Sequence, residues 1–218
     1  MKMLGSSLWR LCFILAALFL LTGGPQHPGG TMAEMLGNPK WVPAHSLLLA
    51  GFVTLLAGLL LYQRTTSLPA RTQRWLRFAV IGTALQAVEM ALHTAAVVDH
   101  DHLTAGSGTP VLTTHLWLAV VFYPIFALTF IGFIIAGMRD QVLGSPWIAW
   151  LGIIGLLAHG AAAPLVVLLK VAGASILFPF LLCFALWLIL AGLWPLRVKG
   201  GQGIHRERLN EPLRDTGK

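Results

Sequence analysis

Charge is what this chain has least of. Only 11% of its 218 residues are Asp, Glu, Lys or Arg, against about 25% in soluble globular proteins. So few charges cannot cover a domain of this size in water, which excludes a soluble globular fold. Cysteine is also scarce: Cys12 and Cys183 both fall in apolar runs, so there is no disulfide framework and no CxxC pair. The usual catalytic signatures are missing as well. There is no HExxH, P-loop, GxSxG or dinucleotide fingerprint, and most familiar enzyme classes go unsupported. No internal repeat or second domain is present.

What remains is hydrophobic: 56% of the residues are apolar, with a mean hydropathy of +0.76. Apolar blocks run over residues 11–23, 43–62, 75–98, 112–137, 147–169 and 173–195, most of them near the ~20 residues a helix needs to cross a bilayer. They are continuously apolar rather than alternating, which disfavours a β-barrel and implies helices. The expected fold is an all-α polytopic membrane bundle of six transmembrane helices, or five if the first segment is a cleaved signal peptide. Residues 1–23 form that N-terminal helix or signal sequence, 24–42 an outer loop, 43–195 a five-helix bundle and 196–218 a basic cytoplasmic tail.

Lys and Arg accumulate on the cytoplasmic side of membrane proteins. With alternating helices, thirteen of the fifteen fall on one side, and only Lys40 and Lys170 on the other. Both termini are therefore expected to be cytoplasmic, in a bacterial-type inner membrane. The net charge of +7 is then explained without nucleic acid as a partner. Trp41, Trp75, Trp147 and Trp194 lie near span ends and read as interfacial anchors in the lipid bilayer. Gly51, Gly58, Gly152 and Gly155 lie on faces that let helices approach, either inside the bundle or against other membrane subunits or a second copy.

The polar residues are distributed on one side too. Seven of the eight histidines belong to the half opposite the arginines. At 1.5 Å per helical residue, His45 and His115 lie just inside the outer ends of their helices, and His93 about 7 Å deep. Glu89 and His159 form a lower layer about 14 Å in. Thr83, Gln86, Glu89 and His93 share one helical face, and Gly152, Gly155, His159 and Ala163 share another. A carboxylate at the depth of Glu89 must be protonated, hydrogen-bonded to an imidazole or bound to a cation. Asp99-His100-Asp101-His102 adds four possible ligands as a gate or lid, while His27 reads as ordinary loop.

Three chemistries fit. A transition-metal site (copper, zinc or iron) would take His45, His93, His115 and His159 as ligands, with Glu89 as ligand, orienting group or general base of a metal-dependent oxidoreductase. A b-type haem would use two axial histidines, His45 with His115 or His93 with His159. Proton handling through Glu89 and His159 needs no cofactor, but few polar groups continue below them. A non-catalytic accessory subunit of a larger membrane complex is the structural alternative.

Glu89 and His93 followed by His115 resemble the carboxylate and histidine metal site in a membrane subunit of the copper membrane monooxygenases, which implies copper. Here the carboxylate is Glu where that family has Asp, and the interval from His93 to His115 is longer. Six helices, four of them with one histidine each, are similar to the six-helix b-type cytochromes. That family places haems near both membrane surfaces, whereas these intramembrane histidines share one half.

Overall fold

The computed structural model of the chain describes residues 2–171 and 173–194. The basic tail expected over 196–218 lies outside the described residues. The described residues form eight α-helices: α1 Lys2–Gly23, α2 Met32–Leu36, α3 Trp41–Thr65, α4 Ala70–Ala95, α5 His100–Thr104, α6 Pro110–Arg139, α7 Pro146–Ala163 and α8 Leu181–Leu193. Among the described residues, six helical segments are long and apolar enough to cross a membrane.

Proline marks several boundaries. Pro110 and Pro146 open α6 and α7, where the missing N–H costs nothing and the fixed φ suits the helix. Pro69 stops the chain before α4 begins. Pro124 is absorbed inside α6, but at Pro164 α7 gives way to a π-turn, Pro164–Leu168, because proline cannot donate the next helical hydrogen bond. The last apolar block is likewise divided, with a 3-10 segment Ala174–Phe180 leading into α8. The expected outer loop 24–42 is not plain loop: it holds a 3-10 turn, Gly24–Gln26, the whole of α2 and the start of α3. A capping box closes the start of α2, with Thr31 and Glu34 satisfying each other's exposed groups.

The long helices pack as a ring in chain order, α1 against α3, then α4, α6, α7 and α8, and α8 returns to α1. The N-terminal helix is thus a full member of the bundle. Trp9, Phe13, Ala16, Ala17 and Leu20 are completely buried. The glycine faces are used internally: a Cβ on Gly58 would meet Phe13 at 2.9 Å, and one on Gly155 would meet the Phe184 backbone nitrogen at 2.6 Å. Large residues such as Ile81, Val88, Leu128, Ile154 and Leu157 face outward, far more exposed apolar surface than water would tolerate.

The middle of the ring is filled by aromatic rings. Phe52 meets Phe126 edge-to-face at 5.5 Å, and Phe130 meets Phe184 at 4.9 Å and Trp187 at 5.9 Å. Toward one end stand Arg64, Arg71, Arg74, Arg77 and Arg139, at the termini of α3, α4 and α6. Two surface grooves of about 330 and 590 Å³ open there, lined by Arg71, Arg139 and apolar side chains, and neither reaches a histidine. The histidines gather at the opposite end, under α2 and α5.

Candidate metal centre

Four imidazoles form a file across the histidine end. Ring centres lie 4.7 Å apart for His27 and His45, 4.3 Å for His45 and His93, and 3.9 Å for His93 and His115. Each comes from a different segment: the turn after α1, the first turns of α3, the last turn of α4 and the second turn of α6. Trp41 walls the file, 4.1 Å from His45 and 5.1 Å from His93.

The hydrogen bonds decide which nitrogens remain free. His45 Nδ1 lies 2.7 Å from the Trp41 carbonyl oxygen, and His27 Nδ1 lies 2.8 Å from that of Pro28. A carbonyl can only accept, so both rings carry their proton on Nδ1 and leave Nε2 as a bare lone pair. His45 is completely buried and its Nε2 has no partner. His93 Nδ1 is also buried without one. Desolvation holds the His27 ring below the ordinary imidazole value, outweighing the Pro28 hydrogen bond.

Glu89 governs the inner side. Its Oε1 accepts from His115 Nδ1 at 2.6 Å and its Oε2 from Gln86 Nε2 at 2.9 Å. Both Glu89 and Gln86 are completely buried. The short contact to His115 has the length of a charge-assisted bond. This carboxylate and histidine arrangement fixes the ring and directs Nε2 outward, as carboxylates do behind metal-bound histidines.

Two sets of donors result, each with one ligand atom per residue within 4.8 Å of the others: His27, His45 and His93, and Glu89, His93 and His115. Imidazole binds transition metals at about 2.0–2.1 Å, which puts tetrahedral donors near 3.4 Å apart. In the inner set the 2.6 Å hydrogen bond keeps Glu89 behind His115, so the carboxylate orients that ring instead of sharing an ion with it. Imidazole suits copper, zinc and iron alike.

No family model, curated protein or solved structure matches the chain. What this centre does must therefore follow from its own donors.

The structure brings together His45, Glu89, His93 and His115, and adds His27, which sequence reading left as loop. A sign was present: Pro25 and Pro28 flank His27 and stiffen the turn that holds it at the end of α1. Its approach to His45 crosses a loop, however, and loop contacts have no periodicity. His159 stands apart, in neither donor set, although its depth was expected to match that of Glu89. It stacks on Tyr123 at 4.6 Å with 21° between the planes, and both its ring nitrogens lack partners. The cause is the ring order, since α7 neighbours α6 and α8 but not α4. The Asp-His-Asp-His run is not a joint ligand set either. Asp99 accepts from the Leu112 N–H at 2.7 Å and so caps α6, His100 meets Asp101, and His102 meets Ser107.

Proposed function

We propose that this is an integral membrane protein with a transition-metal centre at the histidine end of its helix bundle, held by His93 and His115 with Glu89 as the orienting carboxylate, and bordered on its outer side by His45 and His27. The observation that carries the reading is the set of committed Nδ1 atoms. His27 and His45 donate to carbonyls and His115 to Glu89, so that three Nε2 lone pairs are offered from separate segments. A cluster that only tied helices together would use these nitrogens on one another. Instead buried ring nitrogens on His45 and His93 are left bare, at a cost of about 1–3 kcal/mol each unless something binds them.

An ion is favoured over a haem. Axial imidazoles stand on opposite faces of a porphyrin with their nitrogens about 4 Å apart, twice a metal–imidazole bond, and their ring centres farther still. Between the expected axial pair, His45 and His115, stands the His93 ring, 4.3 Å from one and 3.9 Å from the other, which leaves no slot for a porphyrin. The alternative partner for His93, His159, stacks on Tyr123 instead. Passage of ions through the bundle is disfavoured by the aromatic layer below the centre. The lysine and arginine distribution supports a non-cytoplasmic histidine end.

The reading is tested by elemental analysis of detergent-purified protein never exposed to chelators. Copper, zinc or iron should be present at about one ion per chain and lost in His93→Ala and His115→Ala, while His159→Ala keeps it. Equal metal content in all of them would refute the assignment.

A further inference from the structure

We infer that one ion occupies two positions in turn: a surface loading position at His27, His45 and His93, and a resting position at His93 and His115, with the Glu89 carboxylate behind His115. The inference rests on the metal reading above and adds a direction to it.

Both donor sets contain His93, which thus stays available to the ion at either position. Its ring lies 4.3 Å from His45 on one side and 3.9 Å from His115 on the other, so an ion passing inward need never lose every protein ligand. Only the outer set reaches the surface. His27 is exposed, whereas His45 beneath it is already buried and the His115 and Glu89 side chains are 6% and 0% exposed.

Charge sets which position is final. The outer donors are three imidazoles and include no carboxylate. The inner set contains the carboxylate, and a cation in a low-dielectric interior is held far better beside a counter-charge. The path also ends there. Below Glu89 come Gln86, whose Oε1 is buried without a partner, and Thr83, whose hydroxyl is already donated to the Ala79 carbonyl. Beneath them lie the packed phenylalanine rings. The ion therefore enters from the surface and stops at Glu89, and His27 governs the rate of arrival rather than the final affinity.

The test uses the full-length apoprotein in detergent and Co²⁺ as the probe, with binding followed by its visible ligand-field absorption. His27→Ala should leave the stoichiometry and final spectrum unchanged. It should slow uptake and release alike, by roughly tenfold or more, because an unchanged equilibrium requires equal changes in both rates. His115→Ala should keep rapid uptake but lower the affinity more than about 100-fold, beyond the effect of losing only an outer-shell partner. The inference is overturned if His27→Ala weakens equilibrium binding as much as His115→Ala, which would make His27 an ordinary ligand, or if it alters neither rate. Failure of the unaltered protein to bind Co²⁺ would instead defeat the metal reading itself.

Discussion

Replacing Glu89 with Gln separates the charge of this carboxylate from its shape. Glu89 now accepts two hydrogen bonds, from His115 Nδ1 at 2.6 Å and Gln86 Nε2 at 2.9 Å. In the variant, one acceptor oxygen becomes an NH₂ donor. Gln86 can absorb the change, because its own Oε1 is buried without a partner. Turning the Gln86 amide over sets that oxygen against the new NH₂, while the remaining oxygen at position 89 still accepts from His115. Glu89→Gln should therefore fold and melt like the parent without metal. What it lacks is the negative charge behind His115, and carboxylates in this position are worth about 10–100-fold in metal affinity, or about 1.4–2.8 kcal/mol. The assay is competition for metal with a chromophoric chelator, alongside thermal unfolding of the apoprotein. Glu89→Ala is the contrast: it strands two buried donors at about 1–3 kcal/mol each and should lower the apoprotein's stability as well. If Glu89→Gln binds as tightly as the parent, the role given to this carboxylate is wrong.

Other expectations follow from particular contacts. Asp99→Ala removes the acceptor for the Leu112 N–H and should cost about 0.5–2 kcal/mol, read by thermal unfolding, with metal content retained. Gly155→Ala drives a methyl to within 2.6 Å of the Phe184 backbone and should cost about 1–3 kcal/mol through displacement of α8. Saturating metal at about 1,000 times Kd should stabilise the parent by about 4 kcal/mol, and His93→Ala should abolish the shift. Thr31 hydrogen bonds, from the backbone first and the side chain second, hold the exposed Glu34 carboxyl below its ordinary 4.5. A group with a lowered folded pKa stabilises above its unfolded value and loses that contribution as pH falls through the folded one. Protection of the amides over residues 31–36, relative to their intrinsic exchange rates, should therefore fall as pH drops below the ordinary 4.5, and Glu34→Gln should show the reduced protection at neutral pH.

Much of the bundle was legible because hydropathy and helical period are local properties of the chain. Six apolar blocks became six spanning segments. The stripe of Thr83, Gln86, Glu89 and His93 faces inward, because an ionisable group turned toward lipid costs several kcal/mol. Gly152, Gly155, His159 and Ala163 turned inward for the related reason that only small residues admit a close neighbour. Depth along each helix was also readable, so His45, His93 and His115 were expected at nearly one level, and their rings do meet.

Depth does not tell which helix stands beside which. The ring order of α1, α3, α4, α6, α7 and α8 is settled by packing between helices far apart in the chain, and it left His159 stacked on Tyr123, outside both donor sets. The tight turn after α1 carried His27 over His45, a contact made by loop closure and invisible to any periodicity. Asp99 was taken up by the exposed N–H of Leu112, a demand that arises only once α6 has a defined start beside it. By itself the sequence determined a helical membrane protein with its ionisable groups divided between two ends, because hydrophobicity acts residue by residue. Which imidazoles share a centre, which nitrogens stay free and which histidine stands aside were decided only by tertiary structure, because those depend on rotation and neighbours that no single helix specifies.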